Sequence, residues 1–373
     1  MKRNKCLIIM LSFSLISTGC WDQHLMKNVT LIQALTYDLT NKQLLCVGAA
    51  APVIGNLHSK NSSSKSDILV TAARTPGEAK IILNHMASGV LDTAKNKLLL
   101  LGEAFAAQDI YPFLDLHYRN PRNSLNARVA VVKDKALPLI QLKNDREEHI
   151  SRYLLDLIQS AEESLIIPEE NIQSIASVLL DPGEDITLPF IVVEENKHKA
   201  FVKGIALFND RKYTGYHLNH NQSTLYLLLK KGSPQQNSFI ITLDNVTKNY
   251  PERFVSFTVK HIKRKIKLHK STHNQINVSI DMNLKLQITE YPKGDVENDS
   301  SILKEKLSAT LTTLTEEVLS HLKESNCDAL GIGRKLMAFQ PEVWSQLNKE
   351  DYYKKVNFKT SINIDGIKSG IVK

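Results

Sequence analysis

Gln275 to Thr289 reads QINVSIDMNLKLQIT. Ile276, Val278, Ile280, Met282, Leu284, Leu286 and Ile288 are apolar, and every residue between them is polar. Side chains alternate across a strand with a period of two, so this pattern makes one long strand with a dry face and a wet face. Seven alternations leave no helical reading. Phe254–His269 is expected to pair with it across a turn near 271–274. A second alternation, Val356, Phe358, Thr360, Ile362 and Ile364, closes the chain. Between them, 301–323 carries Leu303, Leu307, Leu311, Leu314, Val318 and Leu322 at spacings of four, four, three, four and four. That is one face of a long helix, and the expectation is a large sheet packed on it.

Upstream the character is mixed. Val29–Asp38 and Leu44–Val53 read as strands about a turn at Asn41-Lys42, with His58–Ser66 a polar loop and Asp67–Ala73 a third strand. Thr75-Pro76-Gly77-Glu78 opens a helix, with Thr75 as N-cap and Pro76 in the first helical position. Ala79, Ile82, Leu83 and Met86 form its apolar face. Leu98–Leu101 is a buried strand, and helical segments follow at Glu103–Gln108 and Tyr111–Tyr118. Ala127–Val132 and Ala136–Leu142 are expected to form a hairpin about Lys133-Asp134-Lys135. Glu147–Ser164 and Pro168–Leu180 read as helices, closed by Asp181-Pro182-Gly183. Leu188–Val193, Lys199–Phe208 and Tyr213–Leu218 are strands. A helix over 222–231 ends at Gly232, and Phe239–Leu243 is a strand.

These elements give an α+β fold with mixed and antiparallel sheets flanked by helices, in about three domains. The expected divisions are an amino-terminal α/β domain over 20–145, a small helical domain or extension over 146–200, and an α+β domain over 201–373. Residues 1–19 have another role. A basic start, Met1-Lys2-Arg3-Asn4-Lys5, precedes an apolar run from Cys6 and the small residues Ser17-Thr18-Gly19. That is the layout of a cleaved export signal. Its apolar core is about 11 residues, where roughly 20 are needed to span a bilayer. Cys20 stands at the cut, the position where bacterial lipoproteins receive a diacylglycerol thioether. The position three before it holds Ser17, where a branched apolar residue is usual. Two or three acyl chains would hold the chain on the outer face of a membrane, where a single chain holds only marginally.

The 373 residues carry 47 basic and 39 acidic side chains. Without Lys2, Arg3 and Lys5 the excess is 44 against 39, or +5, too mild and dispersed for a nucleic-acid groove. Aromatic residues make up 6%, too few for a stacking platform. Beyond Cys6 and Cys20 there are only Cys46 and Cys327, read as two buried free thiols rather than a disulfide. No His-Glu-x-x-His, Gly-x-Ser-x-Gly or Gly-x-x-x-x-Gly-Lys motif occurs. His217 and His220 have a spacing that could serve a metal, but carboxylates beside them are sparse, and a solvated turn is the expectation. Gly331-Ile332-Gly333-Arg334-Lys335-Leu336 is read as a helix stop and turn, not a dinucleotide loop. The basic run 260–270, with Lys263, Lys265 and Lys267 alternating, is read as the wet side of a strand, and lipid head-group contact is a weaker option. No catalytic, cofactor or metal site is expected.

Several motifs carry a resemblance. Gly19-Cys20-Trp21-Asp22 is followed by a strand ending in Tyr37-Asp38. Then come Thr75-Pro76-Gly77-Glu78-Ala79, Leu101-Gly102-Glu103, Gly204-Ile205-Ala206-Leu207-Phe208 and Thr214-Gly215-Tyr216. Cys327-Asp328-Ala329-Leu330-Gly331-Ile332-Gly333 and Pro341-Glu342-Val343-Trp344 close the series. Together, in this order, they resemble the Ger(x)C family of spore germination lipoproteins, the C subunits of GerA-type nutrient receptors. The resemblance implies a non-enzymatic receptor subunit, S-diacylglycerol and N-acyl groups on Cys20, and a place on the outer face of the inner spore membrane. It implies two polytopic partners, an A-type and a B-type subunit. The competing reading is a lipid-anchored solute-binding protein of a transporter, a class built from two similar α/β lobes. The unlike halves of this chain speak against it.

Overall fold

The structure is a computed structural model and describes residues 29–52, 66–142, 149–194, 199–234, 236–243 and 249–369. Cys20, the export signal and nearly all of the 58–66 loop lie outside them.

The strand expected over 29–38 is two. β1 (Val29–Leu31) runs parallel to β5 (Val90–Asp92), and β2 (Ala34–Leu39) joins a larger sheet. The change of partner falls at Ile32 and Gln33, whose N–H groups donate to Asp92 O and Ala50 O. β3 (Leu45–Pro52), β4 (Ser66–Ala73), β6 (Leu98–Gly102), β7 (Arg128–Val132), β8 (Thr187–Glu194), β9 (Lys199–Asn209) and β10 (Lys212–Leu218) complete an eight-stranded sheet. Its order is β10-β9-β8-β7-β6-β2-β3-β4. The four central strands are parallel, and an antiparallel pair flanks them on each side.

The central strands are buried on both faces, which is why Leu98–Leu101 is apolar without alternation. The faces nonetheless separate by parity. Leu99, Leu101, Val129 and Val131 lie in one core with α1 (Pro76–Met86), α2 (Glu103–Ala106), α3 (Tyr111–Arg119) and α6 (Ile172–Leu179). Leu98, Leu100, Ala130 and Val132 lie in the other with α4 (Leu137–Ile140), α5 (Ile150–Glu163) and α7 (His220–Lys231).

One expectation changes here. The segment after β7 is not a hairpin strand but the short helix α4. Pro138 cannot donate to a ladder, and the Asp38 carboxylate accepts from Ala136 N (2.7 Å) and Leu137 N (2.8 Å) at the helix start. The large sheet draws strands from all three expected segments. β8 comes from the middle segment and pairs with β7 of the first, while β9 and β10, largely from the last, extend the sheet by pairing with β8 and with β9 in turn.

The cap at Thr75 forms as the sequence implies, its hydroxyl accepting from Glu78 N at 3.1 Å. Glu78 completes it differently, accepting from the N–H and guanidinium of Arg74. Met86, placed on the apolar face by spacing, is exposed, while Ala79 and Leu83 are buried. Thr75→Ala is expected to cost about 1 kcal/mol in urea-unfolding free energy. No measurable loss would show that the Arg74–Glu78 contacts hold the helix start alone.

The carboxy-terminal sheet runs β11-β12-β13-β14, with β11 (Phe239–Thr242), β12 (Phe254–Leu268), β13 (Ile276–Glu290) and β14 (Val356–Lys368). β12 is antiparallel and β14 parallel to β13. All seven apolar positions of β13 are buried. They share one core with Leu307, Leu311, Val318 and Leu322 of α8 (Ser300–Glu324), whose Ser308 hydroxyl donates to Ile362 O. Every residue from Gln222 to Leu229 of α7 is buried, so this helix is enclosed on all sides. The same core runs from the large sheet through α7 to the small one. α9 (Ile332–Phe339) and α10 (Pro341–Ser345) lead back to β14.

Candidate functional site

The residues singled out for chemistry do not come together. His217 stacks on Phe190 at 4.6 Å between ring centres, and burial lowers its pKa. His220 Nε2 instead lies 3.2 Å from Ser238 O. Among the described residues no three His, Cys, Asp or Glu side chains group as metal ligands would. Cys46 and Cys327 are both unpaired thiols, the first half-buried and the second buried. No described helix is long and apolar enough to cross a membrane.

What the motif residues do build is two buried polar junctions. In the first, Tyr37-Asp38 on β2 lies beside Leu101-Gly102 on β6, with Tyr37 opposite Leu101. Besides capping α4, Asp38 presses on Gly102 so closely that a β-carbon there would sit 2.0 Å from Asp38 Oδ1. Only glycine leaves that space. The next residue, Glu103, accepts from Asp134 N through Oε2 (2.8 Å), and its own N–H donates to Asp134 O. The two motifs therefore clamp 134–137 from both sides. Burial raises the Asp38 pKa, and its amide donors oppose that rise. Tyr37 Oη and His117 Nε2 are 2.9 Å apart, with His117 pushed by burial down to about 4 and therefore neutral at ordinary pH. A cavity of about 40 Å³ lies beside them, lined by Ile32, Leu35, Val47, Leu83 and Leu116. It has room for about one or two waters, where ligand pockets run to roughly 300 Å³ or more.

The second junction joins the halves of the chain. Asp328 is wholly buried. Its carboxylate accepts from Ile332 N (2.8 Å), Gly333 N (2.6 Å) and the Tyr352 hydroxyl (2.6 Å). The stretch read as a helix stop is therefore a turn that starts α9, with Asp328 holding its first amides. Asp328 N donates to Asp185 Oδ2 (2.6 Å), and Asp185 N donates back to Asp328 O (3.0 Å). Asp185 Oδ1 accepts from Asp210 N in the β9–β10 turn (2.7 Å). Burial pushes Asp185 up to about 7 and Asp328 up to about 6 against the pull of these donors. Around them Arg334 pairs with Asp181 and Glu184, and Lys230 with Glu184 at 3.1 Å. Gly333 is required by contact, since a β-carbon would lie 2.7 Å from Gly183 Cα and 2.6 Å from Tyr352 Oη.

Asp185 and Tyr352 were not singled out from the sequence, and Gly183 was read only as part of a helix close. Asp181-Pro182-Gly183-Glu184-Asp185 packs three acids ahead of an apolar strand, which was the available sign, but their partners lie over 140 positions away in Asp328 and Arg334.

The fold defines a two-part α+β protein whose motif residues stand at internal junctions. Comparison gives that fold a family. Residues 22–193 match the model described as spore germination protein N-terminal domain, and 203–370 match spore germination B3/GerAC like, C-terminal. The chain belongs to the Ger(x)C family of spore germination proteins. It is 21% identical over 376 residues to spore germination protein GerQC of Bacillus cereus, covering 98% of this chain and 99% of that one. The crystal structure of the GerBC protein has the same fold, with a TM-score of 0.55 at 16% identity, covering 89% of this chain and 96% of that one. The gap between the two family domains, at 194–202, takes in the last residue of β8 and the first four of β9, so strands of the second domain complete the sheet of the first.

Proposed function

We propose that the protein is a non-catalytic, lipid-anchored subunit of a spore nutrient receptor, held on the outer face of the membrane beside two polytopic subunits. The match to both germination domains along nearly the whole chain carries this reading. The export signal over 1–19 and the cysteine at its end supply the anchor. Motif residues engaged in two buried junctions support a docking part. The solute-binding alternative requires two similar lobes, whereas the described residues form one eight-stranded mixed sheet, one four-stranded sheet and the small β1–β5 pair.

Cys20→Ala is expected to move the protein from the membrane to the soluble fraction, or to leave it unprocessed, in fractionation at high salt. Mass spectrometry of the mature form should find acyl groups on Cys20. An unmodified amino terminus, or full membrane retention of the variant, overturns the anchor. Deleting the gene should abolish the spore response to a nutrient while growth and uptake stay intact. An uptake defect in growing cells would favour the transporter reading.

A further inference from the structure

The wet face of the carboxy-terminal sheet collects lysines from three strands. Cross-strand partners place Lys267, Ser279 and Lys359 in one row, then Lys265, Asp281 and Ser361, then Lys263, Asn283 and Asn363, then His261, Lys285 and Gly366. Lys368 follows beside Gln287. All six lysines are exposed. Asp281 is the acidic side chain within the rows, and Asp365 stands at the bulge before Gly366. Arg264 does not belong to this face. It is opposite the buried Met282, and its guanidinium donates to Leu229 O and Lys230 O, satisfying the carbonyl end of α7.

Alternate residues along a strand are about 7 Å apart, and next-neighbour strands about 10 Å. Both distances are close to the screening length of about 8 Å at physiological ionic strength, so the charges act together. Such a face repels itself until an anion covers it. Protection of a sheet edge explains lysines on β12, much of whose outer edge is unpaired beyond Phe257, but not Lys285 on the interior strand β13. The rows carry no Phe, Tyr, Trp or Arg side chain. The centres of protein interfaces favour aromatics and arginine and exclude lysine. A flat array of flexible ammonium groups suits a surface of diffuse negative charge.

We infer that this face rests on anionic phospholipid head groups, so that the carboxy-terminal sheet lies along the membrane surface. The inference rests on the proposed placement of the chain at a membrane and adds which surface meets it.

The test uses the chain from residue 20 onward carrying Cys20→Ser, so that no acyl chain contributes. In flotation assays it is expected to bind vesicles containing phosphatidylglycerol but not phosphatidylcholine alone, and to be released as salt rises. Each lysine near such a surface contributes about a fivefold factor, so the triple variant Lys263→Gln, Lys265→Gln, Lys267→Gln should lose roughly a hundredfold. A control of equal charge, Lys42→Gln, Lys95→Gln, Lys306→Gln, should bind as the parent does. Equal losses in both variants would mean that net charge alone acts and would overturn the assignment, as would phosphatidylglycerol binding that the first triple leaves intact. Unchanged circular dichroism and melting of the first triple separate lost binding from lost folding. Because the tested chain carries no acyl group, failure to bind leaves the Cys20 reading standing, and an unmodified Cys20 leaves this result standing.

Discussion

Asp328→Ala is expected to lower the free energy of unfolding by about 4 kcal/mol, because it strips the acceptor from three buried donors at once. Ile332 N, Gly333 N and the Tyr352 hydroxyl would be left without it in a site that admits little water. Trp344 packs edge-on against Tyr352 at 5.2 Å and gives a fluorescence probe of the junction during urea unfolding. Asp328→Asn keeps one oxygen acceptor and should lose less. A loss below about 1 kcal/mol for the alanine variant would mean that the junction does not depend on this carboxylate.

The pH dependence of the same site has a definite sign. Asp185 and Asp328 titrate near 7 and 6 in the folded protein, above the ordinary carboxylate range that the unfolded chain shows. The folded state therefore binds the protons more tightly. The stability they contribute is fully present below the unfolded pKa, near 4, and is lost as pH rises through about 6 to 7. The melting temperature should accordingly fall between pH 5.5 and pH 8, and Asp185→Asn should reduce that fall. An undiminished fall in the variant would place the proton uptake elsewhere.

Ile280→Asp should have a still larger effect. Ile280 is at the middle of β13, 1% exposed, between Ile266 and Thr360 on the neighbouring strands. The substitution removes about 3 kcal/mol of apolar burial and places a carboxyl group where no donor faces it, for a total of about 5 kcal/mol or more. We expect the carboxy-terminal sheet to unfold, with limited proteolysis cutting within 249–369 where the parent resists. The core is continuous through α7, so the large sheet should also melt earlier. A soluble variant with the parent's melting curve would show that the face is not dry.

The legible parts of this chain were those whose signal is periodic and local. β13 and α8 could be read almost residue for residue, because a strand repeats every two residues and a helix every 3.6, and each buries one face. Thr75 as a cap was legible for the same reason, since its acceptor and donor are three residues apart. The segment 136–142 was misread because apolar residues beside a turn suit either element over so short a length. The deciding group, Asp38, lies 98 positions earlier. Strand pairing is likewise a long-range matter: the two family models end at 193 and begin at 203, yet β8 and β9 are hydrogen-bonded to each other.

The sequence alone determined the kinds of elements, the wet and dry sides of the longest strands, the family resemblance and Cys20 as the candidate anchor. Tertiary structure decided that one sheet spans both halves, that Asp185 and Asp328 lock them together, and that lysines from three strands share a face. The reason is physical. Burial periodicity is written in neighbouring residues, whereas the choice of strand partner and the pairing of buried carboxylates with distant amides arise only when the chain closes on itself.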